Sequence, residues 1–103
     1  MSNQIIEITY FKPKEGVSQE TFGARNIRVG EEYAAKQAGF ISRETGVDAE
    51  GTWVIVVHWE TLADSEASMQ KWMTESSVDD FKEMIEPSSF KMSVFQTRAF
   101  LKK

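Results

Sequence analysis

Thr52-Trp53-Val54-Ile55-Val56-Val57-His58-Trp59-Glu60 reads as a β-strand that is apolar on both faces. Side chains alternate along a strand, so Trp53, Ile55, Val57 and Trp59 point one way and Val54, Val56 and His58 the other. A strand buried on both sides needs cover on both sides.

The neighbouring segments say what cover is available. Phe40 to Glu44 reads as a short strand, and the glycine-bounded turn Thr45 to Gly51 joins it to the central strand as an antiparallel hairpin. Upstream, Ser18 is a good N-cap, and Val17 before it can staple to Phe22. The spacing predicts a helix from there to about Ala38, stopped by Gly39. Phe22, Asn26, Val29 and Tyr33 form its inward stripe, while Arg28, Glu31 and Glu32 form a solvated face. Gly23 and Gly30 flank the stripe on one side, each at a cost of about 1 kcal/mol relative to alanine. Two glycines seven apart imply a close approach there, most simply of the sheet.

Ile5 to Lys12 reads as the first strand, with Ile6, Ile8 and Tyr10 on one face and the mixed row Ile5, Glu7, Thr9 and Phe11 on the other. Pro13-Lys14-Glu15-Gly16 ends it. After the central strand a helix is expected from about Ser65 to Glu75, with Met69, Trp72 and Met73 inward. Ser77 and Asp80 resemble a capping box for a short helix carrying Val78, Phe81 and Ile85, and Pro87 prevents its continuation. Phe90 to Phe100 reads as the last strand; its apolar parity changes near Val94–Phe95, which implies a bulge or two buried faces.

The order strand, helix, strand, strand, helix in two pieces, strand is the split βαβ pattern. It predicts a single α+β domain over 1–103, ferredoxin-like, with a four-stranded antiparallel sheet and helices on one face. The other face of the central strand is still apolar. A second sheet packed against it would cover it, so the expected partner is another copy of the chain, in a homodimer.

Composition narrows the function classes. Lys plus Arg number 12 and Asp plus Glu 16, a net charge of −4 without a basic run, which argues against nucleic acid and anionic membranes as partners. There is no cysteine and one histidine, so thiolate chemistry and two-histidine metal sites are excluded. Met1-Ser2-Asn3-Gln4 does not read as a signal peptide, and no apolar run approaches the roughly 20 residues of a membrane span. The expectation is a cytoplasmic, soluble protein with no metal site.

The element order, the apolar third strand ending Val57-His58-Trp59-Glu60-Thr61, the helix after it carrying Trp72, and the phrase Ser76-Ser77-Val78-Asp79-Asp80-Phe81-Lys82 together resemble the antibiotic biosynthesis monooxygenase-like group of the dimeric α+β barrel superfamily. The resemblance covers nearly the whole chain. It implies a dimer whose sheets close a barrel, with a small-molecule pocket between sheet and helices in each subunit. It also implies a cofactor-independent monooxygenase acting on a small phenol or quinol. The alternative is a non-catalytic binder of a small hydrophobic or aromatic ligand, or a stress-associated protein, of the same fold. The haem-degrading branch places an asparagine on the first strand, a tryptophan after the third strand and a later histidine. Here Trp72 matches, but Thr9 and Ile85 stand at the other two positions, so no haem chemistry is implied and no cofactor is expected.

His58 is the only side chain whose unperturbed pKa lies near neutrality, so it is the candidate general base; a hydrogen-bonded histidine at a sheet edge or dimer interface is the plain alternative. Asn26, an amide on an apolar stripe, is the second catalytic candidate, as a donor to a ligand carbonyl or oxyanion. A backbone carbonyl or a water would satisfy it equally. Tyr10, Phe22, Tyr33 and Trp72 are candidates for the pocket wall, although aromatics at such spacings also make ordinary core. Arg43, if it points inward, needs an acid such as Glu7 or Glu44.

Overall fold

The computed structural model describes residues 4–103. Four strands form one antiparallel sheet: β1 (Ile5–Phe11), β2 (Phe40–Val47), β3 (Trp53–Trp59) and β4 (Lys91–Gln96), in the spatial order β2-β3-β1-β4. Helices α1 (Gln19–Glu32), α2 (Leu62–Thr74) and α3 (Asp79–Glu83) cover one face. The arrangement is the ferredoxin-like α+β fold expected from the order of elements. Among the described residues no helix is long and apolar enough to cross a membrane.

The alternation of the central strand decides the layers. Trp53, Ile55, Val57 and Trp59 are buried beneath the helices, and Val54, Val56 and His58 are half-buried on the open face. Beside them, β1 buries Ile5, Glu7, Thr9 and Phe11 and turns Ile6, Ile8 and Tyr10 to the open face. The mixed row of β1 therefore lies against the helices, and the apolar row lies outside.

Helix α1 begins where Ser18 predicts, with its hydroxyl accepting from the Thr21 amide. It ends earlier than expected. Tyr33 closes it, a 3-10 turn over Ala34–Lys36 follows, and Gly39 takes the left-handed conformation at φ 78°. Helix α2 starts three residues before the expected point because Thr61 caps it. The Thr61 hydroxyl accepts from the Asp64 amide and donates to the Asp64 carboxylate. The capping box expected at Ser77 and Asp80 does not form, since α3 has no side-chain cap. Asp80 instead receives a fork from Arg25 of α1, Nε to Oδ2 and Nη2 to Oδ1, both at 2.8 Å. The stronger, charge-assisted acceptor role wins over capping.

Two strands differ from their expected limits. β2 continues to Val47, because Thr45 to Val47 still pair with β3. β4 is shorter than expected and carries no bulge. Its register against β1 runs unbroken from Tyr10–Lys91 to Ile5–Gln96, so Val94 and Phe95 simply fall on opposite faces of an edge strand. The core beneath the sheet is largely aromatic. The Phe22 ring meets Phe11 at 5.5 Å, Phe81 at 4.9 Å and Trp53 at 5.1 Å.

Candidate functional site

A cavity of about 80 Å³ lies between sheet and helices. Tyr33, Trp59, Trp72 and Phe81 give it aromatic walls, with Val29, Ile55 and Val57 between them. Met69, Trp72 and Phe90 are lining residues that are not fully buried, and they stand at its rim. Tyr33 and Trp72 meet edge to face at 5.3 Å, and the Lys82 ammonium lies 5.5 Å from the Trp72 ring centre. The Tyr33 hydroxyl donates to the Ser68 carbonyl at 2.9 Å. Burial, reinforced by the negative charges of Glu75 and Glu7, pushes its pKa up, so it stays a neutral phenol.

Two ionisable groups enter this apolar space from the sheet. Glu7 of β1 and Arg43 of β2 both stand opposite Val57 of β3 in the register, one on each side. They share the covered face but make no direct ion pair; the ion pairs among the described residues are Arg25–Asp80, Arg28–Glu32 and Lys82–Asp79.

The Glu7 carboxylate is held at one oxygen. Ser65 of α2 donates to Oε1 at 2.8 Å, and the Trp59 indole N–H donates to the same atom at 3.2 Å. Neither reaches Oε2. No buried side-chain oxygen among the described residues lacks a partner, so Oε2 is not sealed in the core, and Glu7 is one of the residues that line the cavity. Burial pushes the Glu7 pKa above the ordinary 4.5, and the hydrogen bonds from Ser65 and Trp59 and the charge of Arg43 offset part of that rise.

Arg43 is held by α1. Its Nη2 donates to Asn26 Oδ1 at 2.7 Å and its Nη1 to the Asn26 carbonyl at 3.1 Å. Asn26 in turn donates from Nδ2 to Thr45 Oγ1 at 3.1 Å. Gly30, one turn after Asn26, makes this possible. A Cβ there would sit 2.8 Å from Arg43 Nη1. Gly23 does the same for the Trp53 ring, at 3.4 Å. The paired glycines thus mark two close approaches of the sheet to α1, one of them by the half-buried Arg43 guanidinium. Burial lowers the Arg43 pKa to about 10, with the Glu7 charge partly opposing it, so the group stays cationic at neutral pH.

The six residues singled out by sequence divide into three groups. Tyr33 and Trp72 line the cavity. Phe22 and Asn26 are buried one layer away; Phe22 belongs to the aromatic core, and Asn26, only 1% exposed, reaches the cavity through Arg43. Its amide is partnered by two side chains, Arg43 and Thr45. Tyr10 and His58 do not share this cavity. They stand on the open face, Tyr10 45% exposed and His58 between Ile6 and Ser42, because their strand parity is opposite to that of Glu7 and Trp59. The expectation that Tyr10 lines the same pocket as Tyr33 and Trp72 is therefore corrected. Sequence reading gave Glu7 only as an acid that Arg43 would need. The signal that could have raised it was a carboxylate in the same strand row as Ile5 and Phe11.

The fold recurs in known structures. SnoaB, a cofactor-independent oxygenase from Streptomyces nogalater, superposes with a TM-score of 0.73 at 11% identity, over 99% of this chain and 100% of that one. A monooxygenase from the gene ActVA-Orf6 of Streptomyces coelicolor, solved with nanaomycin D, gives 0.73 at 12% identity, over 96% of this chain and 91% of that one. Protein SO0527 from Shewanella oneidensis gives 0.64 at 18% identity, over 94% and 93%. The chain has the fold of the antibiotic biosynthesis monooxygenase-like proteins. No family model matches the sequence, and no curated protein matches it.

Proposed function

We propose that the protein is a cofactor-independent monooxygenase that takes a small phenol or quinol into the cavity beneath the sheet. The observation that carries this reading is the cavity itself, whose aromatic walls enclose one carboxylate and one guanidinium on either side of Val57. Apolar pockets with a few convergent polar groups are the usual form of small-ligand sites. The likeness in fold to two oxygenases supports the choice of chemistry. A hydroquinone needs no helper to reduce oxygen: hydroquinone plus O₂ gives the ring-hydroxylated quinone and water, with all the electrons coming from the ring. Trp72 and Tyr33 are assigned to the ring-stacking wall, and Asn26 to positioning Arg43. The active unit is a homodimer, because the open sheet face carries Ile6, Ile8, Val54 and Val56 and pairs best with a second copy of itself.

Oxygen uptake by chelator-treated protein with a panel of single-ring and fused-ring hydroquinones tests this. Uptake well above autoxidation is expected, together with a loss of about tenfold or more in Trp72→Ala. Uptake no faster than autoxidation across the panel would sink the proposal. The cavity volume favours a second reading, a binder that does not turn its ligand over. About 80 Å³ is smaller than an engineered cavity of about 150 Å³ that holds benzene, so a ring enters only if Met69, Trp72 or Phe90 moves. Saturable binding of a hydroquinone without oxygen uptake would select that reading.

A further inference from the structure

We infer that Glu7 is the base that takes the phenolic proton of the bound ring, and that Arg43 holds the phenolate so formed. This rests on the reading of the cavity as a phenol site. Glu7 Oε1 is committed to Ser65 and Trp59, which fixes the carboxylate and leaves Oε2 as the proton acceptor. Two of the five N–H groups of Arg43 bond Asn26, and the others have no protein acceptor among the described residues. A phenolic oxygen over Val57 lies between the two groups, since both flank that residue in the sheet.

The step conserves charge. The phenol O–H bond breaks, a new O–H bond forms on Oε2, and the electron pair stays on the phenolic oxygen. Before transfer the cavity holds a carboxylate and a guanidinium; afterwards it holds a phenolate and the same guanidinium. No net charge is buried, so the low polarity that penalises an isolated ion does not oppose the step. Burial of Glu7 makes it a stronger base than a surface glutamate.

The groups around Glu7 leave it little competition. β3 presents Val57 and Trp59, β4 presents Val94, and α2 presents Ser65, Ser68, Met69 and Trp72, none of them charged. Arg43 is the one cation from β2, and Tyr33 is a neutral phenol whose hydroxyl is committed to Ser68. Glu75 acts on Tyr33 from outside by charge alone. His58 is on the other face of the sheet.

The test uses 4-nitrophenol, an electron-poor phenol whose anion is coloured and which does not consume oxygen, so ionisation is read apart from oxygenation. Binding is followed below the free probe's pKa, with proton release measured by a pH indicator. In the wild type the bound probe is expected to take the phenolate colour with no net proton release, because Glu7 keeps the proton. Glu7→Gln preserves the oxygen that accepts from Ser65 and Trp59. Its bound phenolate should release about one proton to the buffer, and its affinity should rise about tenfold per pH unit up to the probe's pKa. With a hydroquinone that the wild type oxidises, the same variant should lose about 100-fold or more in kcat/KM near neutral pH. A colourless bound probe in the wild type, or equal proton release from wild type and Glu7→Gln, would overturn the assignment. No binding by either protein would overturn the phenol site along with it. Phenolate binding without any oxygen uptake would uphold the base and remove only the oxygenase.

Discussion

The two rows of β1 share out their polarity in an unexpected way. Beneath the helices β1 places Glu7 and Thr9, while the face without cover in the single chain receives Ile6, Ile8 and Tyr10. A row chosen for the stability of one chain would do the reverse, since a buried carboxylate costs free energy and a half-buried isoleucine forgoes part of the roughly 1.5–3 kcal/mol of full burial. The covered face therefore carries a carboxylate at a cost, which is what the role proposed above for Glu7 requires. The open face is the one that the homodimer proposed above would cover.

The largest effect should come from breaking the open face. Val56→Asp sets a charge in the middle of the row formed by Ile8, Val56 and Glu44 across β1, β3 and β2. In the dimer proposed above that charge would be buried against an apolar face of the partner copy. Sedimentation should show the dimer dissociating about 100-fold or more readily, with the circular dichroism of the subunit retained. An unchanged dimer would place the interface elsewhere.

Glu7→Gln sharpens the contrast from the covered side. A carboxyl whose pKa is raised in the fold contributes its full stability below the unfolded value of 4.5 and loses it as pH rises through the folded value. A neutral glutamine does not lose it. The variant should therefore melt a few degrees higher than wild type near neutral pH, and the gain should vanish below 4.5. A wild type more stable than the variant at neutral pH would mean that Glu7 is a structural ion, not a group held at a cost for chemistry.

The two glycines of α1 give the smallest effects and the finest distinction. Gly23→Ala meets only the edge of the Trp53 ring at 3.4 Å, so up to about 1 kcal/mol of helix propensity should appear as stability in a denaturation curve. Gly30→Ala meets Arg43 Nη1 at 2.8 Å, and the lost bonds to Asn26 should offset the same propensity gain. Its signature should be weaker affinity for 4-nitrophenolate, by about tenfold, with little change in stability. Equal behaviour of the two variants would show that the position of the guanidinium does not matter.

Much of this was legible in the chain. The alternation of Trp53 to Trp59 predicts a strand with two apolar faces, the Phe22–Asn26–Val29–Tyr33 stripe predicts which side of α1 turns inward, and Gly23 with Gly30 predicts a close approach on one flank of that stripe. These follow from backbone periodicity and from the missing Cβ of glycine, which are properties of neighbouring residues. The starts of α2 and α3 were less legible: Thr61 caps α2 ahead of the expected start, and Asp80, expected to box with Ser77, is taken by Arg25 from another helix.

The candidate site lay beyond sequence for a physical reason. Alternation sorts β1 into two rows but does not say which row meets the helices, and that parity puts Glu7 inside and moves Tyr10 and His58 to the far face. Glu7 and Arg43 are 36 residues apart in the chain and become neighbours of Val57 only through the registers of two separate strand pairs. Periodicity is local and is written in the sequence. Register and sidedness are set by the packing of the whole chain, and here they alone place a carboxylate and a guanidinium on either side of one valine.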